Sequence, residues 1–432
     1  MLADIREFGA KEGDALVSPA IQAAIDAAHK AGGGEVIIPE GVFRTGTIWL
    51  RSNVTLKLLS GAMLVGSDRA DDYAYVPEDM QNLSANFPSS TNTIIPDTDS
   101  YSRWNRAIIK AIGAENIAII GEKYSFIDGV DCYDANGEEG YRGPHGINLK
   151  SCRGVTLSGY TLKNSANWAH ALFACENVRI SDIKVLGGHD GIDVFVCKNV
   201  EIYNCVLHTG DDCIAGYGSI GVTVSDCDFN TACSIFRFGG TDVLVKNCKQ
   251  SGASPFAHRY TLTASEKQQR FVTNESCRRN TLTAFLYYSD TRYVPLDIPG
   301  NIVFENMSFD SVDAVFHMNY GNHVWCCGTP LASVTFRNST FGGVCESTYI
   351  YADEKLPFEL TLENVEIRAK AGFEGIPVID GARFSKITMR NVRFSGISAP
   401  AVTTSCDGVI DAENTDSFTV IEKPYVKYEN SK

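Results

Sequence analysis

The 432-residue sequence is short of several things that would define a protein class. No run of about 18 apolar residues occurs, so no membrane span is expected. Basic charge is scarce: 38 Lys+Arg stand against 52 Asp+Glu, a net charge of −14. A general nucleic-acid binder needs a basic footprint, so none is expected here. No apolar stretch follows Met1-Leu-Ala-Asp-Ile-Arg6. The expected location is therefore the cytoplasm, or outside the cell if a signal peptide has been removed. Cysteine is plentiful at 14 residues but lacks paired spacings. Cys326 and Cys327 are adjacent, which is poor chelate geometry, so neither a structural metal nor a cofactor is expected. The thiols read as small buried hydrophobes in a reducing compartment. Disulfides become the reading only if the chain is exported.

What is present is a well-cored composition, 44% apolar, and a repeat. Val155-Thr-Leu157-Ser-Gly159, Val178-Arg-Ile180-Ser-Asp182, Val200-Glu-Ile202-Tyr-Asn204, Val222-Thr-Val224-Ser-Asp226 and Val243-Leu-Val245-Lys-Asn247 start 23, 22, 22 and 21 residues apart. Each alternates apolar and polar residues, as a strand does, and ends on Gly, Asp or Asn, which tolerate a left-handed turn. The register returns at Ile302–Asn306, Val334–Asn338, Leu360–Asn364 and Ile387–Asn391, with wider spacing that implies inserted loops. Weaker copies precede it at Asn53 and Asn116.

Short strands at this period without intervening helices predict an all-β, single-stranded, right-handed parallel β-helix. No leucine-rich consensus competes. Cys205, Cys227 and Cys248 share one repeat position and are expected to stack inside. Asp182, Asn204, Asp226, Asn247, Asn306, Asn338, Asn364 and Asn391 are expected to form a turn ladder. One helix is predicted near the start. Ser18 would be its N-cap and Pro19 its first residue, with Ile21, Ala24, Ile25 and Ala28 on one face and Gly32–Gly34 at its end. It would cap the open β-helix edge. The chain reads as a single domain, residues 1–432, with insertions near 68–104 and 250–293.

The densest polar signal lies on two successive coils: Gly188-His189-Asp190-Gly191-Ile192-Asp193 and Thr209-Gly210-Asp211-Asp212-Cys213-Ile214. Asp190 and Asp211 are 21 residues apart, one repeat, so they share a face of neighbouring coils. Crowded carboxylates perturb one another and suit acid–base work; a solvated turn ladder is the bland alternative. Two carboxyl roles, a proton donor and a water activator, are what glycoside hydrolysis needs. A one-coil offset leaves room for the water, and inversion is the outcome expected.

At these residues the chain resembles glycoside hydrolase family 28, the polygalacturonase-like, pectin-lyase-like β-helix enzymes. The likeness runs from Phe8-Gly-Ala10, Val36-Ile-Ile-Pro39 and Asn53-Val-Thr-Leu56 through Ile127-Asp-Gly129 and Asn164–Trp168. It is strongest at Asp190-Gly-Ile-Asp193 and Gly210-Asp-Asp-Cys-Ile214. The resemblance implies that Asp190, Asp211 and Asp212 are catalytic, Asp211 as general acid with the other two holding the water. Gly188-His189 replaces the family's Asn-Thr. Its Gly-His-Gly and Arg-x-Lys have no counterpart, and Thr231–Gly240 contains no histidine. That departure points from polygalacturonate towards neutral, differently linked or rhamnogalacturonan-type oligosaccharides.

Substitutes for the missing groups are sought nearby. His189 abuts Asp190, and His170 is expected to line the coil below. Arg237 falls one coil after Asp212, where it can meet an anionic sugar or bridge to the aspartates. His258 and Arg259, with Tyr260, Arg270, Arg278, Arg279, Tyr287 and Tyr288 in the same insertion, suit sugar binding; a loop packing its own core is the alternative, and the favoured one for Tyr287 and Tyr288. Trp104 and Trp168 are stacking candidates, or rim packing. The expected substrate is an oligosaccharide or polysaccharide, cut from one end; the oligomeric state is not legible. Two alternatives stay open. One is a polysaccharide lyase with calcium on Asp190, Asp193, Asp211 and Asp212, and the other is a non-catalytic carbohydrate-binding β-helix.

Overall fold

The computed structural model of the chain describes residues 1–13, 15–81, 101–259, 261, 278–289, 298–319, 329–405 and 407–424. They form two compact units, one of Met1–Asp211 with Pro255–Arg278, the other of Asp212–Ser254 with Arg279–Lys432. Both are stacks of short parallel strands, the parallel β-helix expected.

In the first unit the strands fall into three columns. One column runs Leu2–Asp4, Gly34–Ile38, Val54–Leu58, Glu115–Gly121, Arg153–Ser158, Glu176–Ser181 and Lys198–Tyr203. The second runs Gly41–Thr45, Ala62–Gly66, Phe126–Asp128, Thr161–Lys163, Lys184–Gly187 and Val206–Thr209. The third runs Ile48–Trp49, Ala107–Ile112, His145–Lys150, His170–Phe173 and Ile192–Phe195. Alternate side chains point inward, so Val155, Leu157, Val178, Ile180, Val200 and Ile202 stack as a buried core.

The second unit repeats the scheme through Ser234–Lys246, Gly300–Glu305, Ser333–Val344, Glu359–Ala369, Lys386–Arg390 and Val409–Glu413. A further column joins Ser234–Lys246 to Thr281–Tyr287 and Val312–Asn319. Thr281–Tyr287 lies inside the range 250–293 expected to be an insertion, so that segment belongs to a coil. The other expected insertion holds short 3-10 turns at Ala70–Tyr73, Glu78–Met80 and Arg103–Asn105. Residues 82–100 lie outside the described residues, as do Tyr260, Arg270, Cys326 and Cys327.

The turn ladder is present. Asp182, Asn204, Asp226, Asn247, Asn306, Asn338, Asn364 and Asn391 all have φ between 51° and 58°. Each side-chain amide can serve its neighbour, as from Asn391 Nδ2 to Asn364 Oδ1 at 2.9 Å. Cys205, Cys227 and Cys248 are buried at one repeat position, each thiol donating to the carbonyl two residues before it. A second set, Cys152, Cys175 and Cys197, does the same in the first unit.

The helix spans Ser18–Lys30 and buries Ile21, Ala24, Ile25 and Ala28. Its N-cap is Val17 rather than Ser18. The Ser18 hydroxyl instead accepts from Gly46 N at 2.8 Å and from the Thr45 hydroxyl, which ties the helix start to the coil. No helix among the described residues is long and apolar enough to cross a membrane.

Candidate active site

In the first unit Lys184–Gly187 and Val206–Thr209 pair with Gly187 opposite Thr209. The loops that follow carry Asp190 and Asp211, which therefore leave adjacent coils at the same place. Both are buried, with carboxylate oxygens within 4.8 Å of each other. Gly210 must be glycine: a Cβ there would lie 2.1 Å from the Ala257 carbonyl and 2.4 Å from that of Gly188. The close approach brings residues 255–259 across the acidic loops, where Arg259 N donates to Gly188 O at 3.0 Å.

That crossing sets the surroundings of Asp211. Arg259 Nε pairs with Asp211 Oδ2, and His258 Nε2 lies 3.5 Å from Oδ1. Arg142 Nη2 stands 3.7 Å away. Burial raises the Asp211 pKa, but Arg259, His258 and Arg142 outweigh it and hold the carboxyl well below its usual range. The resting Asp211 is thus an ion-paired carboxylate.

Arg142 comes from a turn that sequence reasoning missed, Asp134–Gly143. Asp134 O accepts from Gly137 N at 2.9 Å, and Arg142 N donates to Glu138 O at 3.1 Å. Arg103 grips the Asp134 carboxylate with two hydrogen bonds, at 2.6 and 2.7 Å. The turn carries Glu138 and Glu139, both 3.4 Å from Arg142. Arg259 Nη1 reaches Glu139 at 3.1 Å, closing the network. Burial pushes Glu138 up to about 7, against the pull of Arg142. The one local signal was an acid–base pair four residues apart, Glu138 and Arg142, bracketed by glycines.

His189 is buried, its Nε2 2.6 Å from the Thr261 hydroxyl and its ring stacked on Tyr141 at 6.3 Å. Burial and then Arg142 push its pKa well down, so it is neutral. The expectation that His170 lines the binding face is corrected. His170 is enclosed in the coil, with Nε2 2.9 Å from the Tyr160 hydroxyl and Nδ1 3.1 Å from Gly191 O. Burial lowers its pKa to about 4. It is a neutral support for the Asp190 loop.

In the second unit Asp212 Oδ1 accepts from Ser234 N at 3.0 Å. Its Oδ2 lies 3.6 Å from Arg237 Nη1. Arg237 is buried and lies 3.9 Å over the Tyr288 ring. Tyr287 and Tyr288 are packed, and Arg279 donates to Ser254 O. Trp104 and Trp168 meet edge-on at 5.3 Å in the first unit.

Asp190 and Asp211 are close enough to share a proton, a water or a cation. The Asp211 oxygens are instead engaged by Arg259 and His258, and a divalent ion would have to displace those side chains.

Residues 84–254 match the family described as Glycosyl hydrolases family 28. Over that segment the chain is similar to glycoside hydrolase family 28. It is 29% identical over 269 residues to an exo-poly-alpha-D-galacturonosidase of Dickeya chrysanthemi, covering 50% of this chain and 42% of that protein. It is 38% identical over 89 residues to a polygalacturonase of Chamaecyparis obtusa, covering 19% of this chain and 17% of that protein. The chain thus spans less than half the length of these curated relatives. The family 28 exopolygalacturonase of Yersinia enterocolitica aligns with a TM-score of 0.62 at 18% identity, over 98% of this chain and 79% of that one. At that identity the likeness establishes the right-handed parallel β-helix and nothing finer.

Proposed function

We propose that the chain is a glycoside hydrolase that cuts pectin-like chains from one end. The observation that carries this reading is the pair of buried carboxylates, Asp190 and Asp211, on adjacent coils in the family 28 motif, bracketed by Arg142, Arg259 and His258. The exo-acting name of the Dickeya relative supports cleavage from an end.

In the proposed reaction a water attacks the anomeric carbon, and Asp190 takes its proton. The carbon–oxygen bond to the leaving sugar breaks, and Asp211 gives that oxygen a proton. Asp211 cannot donate while ion-paired. Substrate entry must therefore weaken the hold of Arg259, His258 and Arg142 together on the carboxylate, so that burial, which favours the protonated form, prevails.

The test is incubation with oligogalacturonates of defined length, followed by chromatography and NMR. Loss of one terminal unit at a time and an anomer opposite to that of the substrate are expected. In Asp211→Asn the rate should fall about 10²–10⁴-fold. Random-length products would overturn end-cleavage. Unsaturated products with ultraviolet absorbance would replace the hydrolase with a lyase, and binding without products would make the chain a binding module.

A further inference from the structure

The turn Asp134–Gly143 brings a further carboxyl, Glu138, to the acidic loops, and the proposed reaction gives it no part. The chain doubles back tightly there: Tyr141 N and Arg142 N both donate to Glu138 O, at 3.2 and 3.1 Å. Glu139 is left-handed, with φ 53°. Both shoulders of the turn need glycine. A Cβ on Gly137 would lie 1.9 Å from Arg142 O, and one on Gly143 would lie 1.9 Å from Cys132 O. This folding sets Glu138, Glu139 and Arg142 side by side on a base fixed by the Arg103–Asp134 pair.

Arg142 stands among acids that it does not fully grip. Its Nη1 donates to Asn167 Oδ1 at 3.2 Å. Glu138 Oε2 lies 3.4 Å from Nη1, Glu139 Oε2 3.4 Å from Nε, and Asp211 Oδ2 3.7 Å from Nη2. Charge-assisted hydrogen bonds close at about 2.7–2.9 Å, so all three contacts are open by more than that. Arg142 Nε and Glu138 Oε2 are both buried and make no hydrogen bond. One guanidinium thus offers its charge to three carboxylates through three different nitrogens. Glu139 is the constant member of the turn. It accepts from the Tyr141 hydroxyl at 2.6 Å, and although burial raises its pKa, Arg142, Tyr141 and Arg259 hold it below its ordinary range. Glu138 is the variable member. Its side chain is 20% exposed against 37% for Glu139. Burial raises its pKa to about 7, with Glu139 and Asp211 adding to the rise and Arg142 and Arg259 opposing it.

We propose that Glu138 is a positioning residue that competes with Asp211 for Arg142, so that its charge sets how readily Asp211 takes up the proton it is to donate. The inference rests on the reading of Asp211 as the acid of the reaction, but the competition itself needs no substrate. An ionised Glu138 adds negative charge to the cluster and draws on the Arg142 guanidinium, which makes a proton on Asp211 less costly. A neutral Glu138 leaves Arg142 to Asp211 and Glu139, which favours the carboxylate form of Asp211. The effect is mutual: an ionised Asp211 makes Glu138 harder to ionise by the same amount. The charged groups that share this field are Glu139 and Arg142 of the turn, His258 and Arg259 of the crossing, and Asp190 beside Asp211. Asn167 and the neutral His189 add no charge to it.

Carboxyl-carbon NMR of the full chain labelled at glutamate reads Glu138 directly, with Glu138→Gln identifying its signal. In Asp211→Asn the Glu138 midpoint should fall by about one pH unit or more from its value in the parent. Asp211→Ala removes the same charge and gives the same reading if the amide variant does not fold. An unmoved midpoint overturns the competition, whatever the chain does to sugars. The second readout is kcat/KM on oligogalacturonates in Glu138→Gln. The ratio of parent to variant should widen about tenfold between roughly pH 5 and pH 8, because Glu138 gains its charge over that range and glutamine cannot. Glu138→Asp keeps a carboxyl and should restore the parent profile. A ratio that stays constant with pH marks a merely structural turn and overturns the proposal. A shifted midpoint without hydrolysis keeps the competition for Arg142 and removes the hydrolase reading. Hydrolysis with an unmoved midpoint does the reverse.

Discussion

Two regions of the first unit carry opposite charge on the same scaffold. Around Asp211, buried carboxylates are held by arginines borrowed from a distant turn and from the 255–259 crossing. Around His145, Lys110 and Lys150 rise from the strands themselves among aromatic rings. The first region depends on long-range ion pairs and is vulnerable at single residues. The second is held by strand register, and its charge is one the total of −14 conceals. Net charge describes solubility and partners at a distance, not the field inside the fold.

The contrast can be broken first at Arg142, which is 4% exposed and faces Glu138, Glu139 and Asp211. Arg142→Met leaves the buried Glu138 without its ion-pair partner and leaves Asp211 and Glu139 to Arg259. It should cost about 3–5 kcal/mol in urea unfolding at neutral pH. A loss below 1 kcal/mol, or roughly the scatter of such measurements, would mean that Arg259 and His258 suffice.

The pH dependence of stability sharpens the contrast, because the two regions titrate with opposite sign. Glu138 is raised to about 7 in the folded state. Its protonated form favours folding below the unfolded carboxyl pKa, and that contribution is lost as pH rises through 7. In the parent it removes about 3 kcal/mol across this window. Glu138→Gln should be free of the loss, so the gap between the two stability curves should widen with pH. Parallel curves would contradict the burial argument.

His145 works the other way. Its folded pKa is depressed to about 3, so its neutral form favours folding above the unfolded pKa, and that is lost as pH falls. The parent should lose about 1.4 kcal/mol per pH unit from this histidine below roughly pH 6.5, and His145→Gln should be shallower by that slope. An imidazole titrating near its ordinary value by NMR would remove the buried cationic field from the argument.

The coils were legible because a period near 22 and a strand alternation of two agree. Asn204 and Asp226 sit where a left-handed turn needs them, and Cys205 and Cys227 where a small inward residue fits. The Asp190–Asp211 pair followed from the same period. His170 was misread for want of a parity check. It stands in register with Ile147 and Ile192, which point inward, while its neighbour Ala171 aligns with Asp193. Glu138 and Arg142 carry no periodic signal, since their partner lies some 70 residues on and only the folded coil brings them together. The Lys110 and Lys150 strands alternate in the usual way, but a sheet covered on both faces gives no polar edge to read.

The thiol row has a practical consequence. Cys152, Cys175 and Cys197 lie one above another on successive coils, buried, with their pairing strands in continuous register. Hydrogen bonding to Cys175 and burial raise the Cys152 thiol well above its usual pKa, and burial does the same for Cys175. Such groups form almost no thiolate and are shielded from reagents. A maleimide can reach them only when coils part. The rate at which each cysteine is alkylated is therefore a clock for the opening of its own coil, and it can record whether the stack unzips from one end or yields all at once.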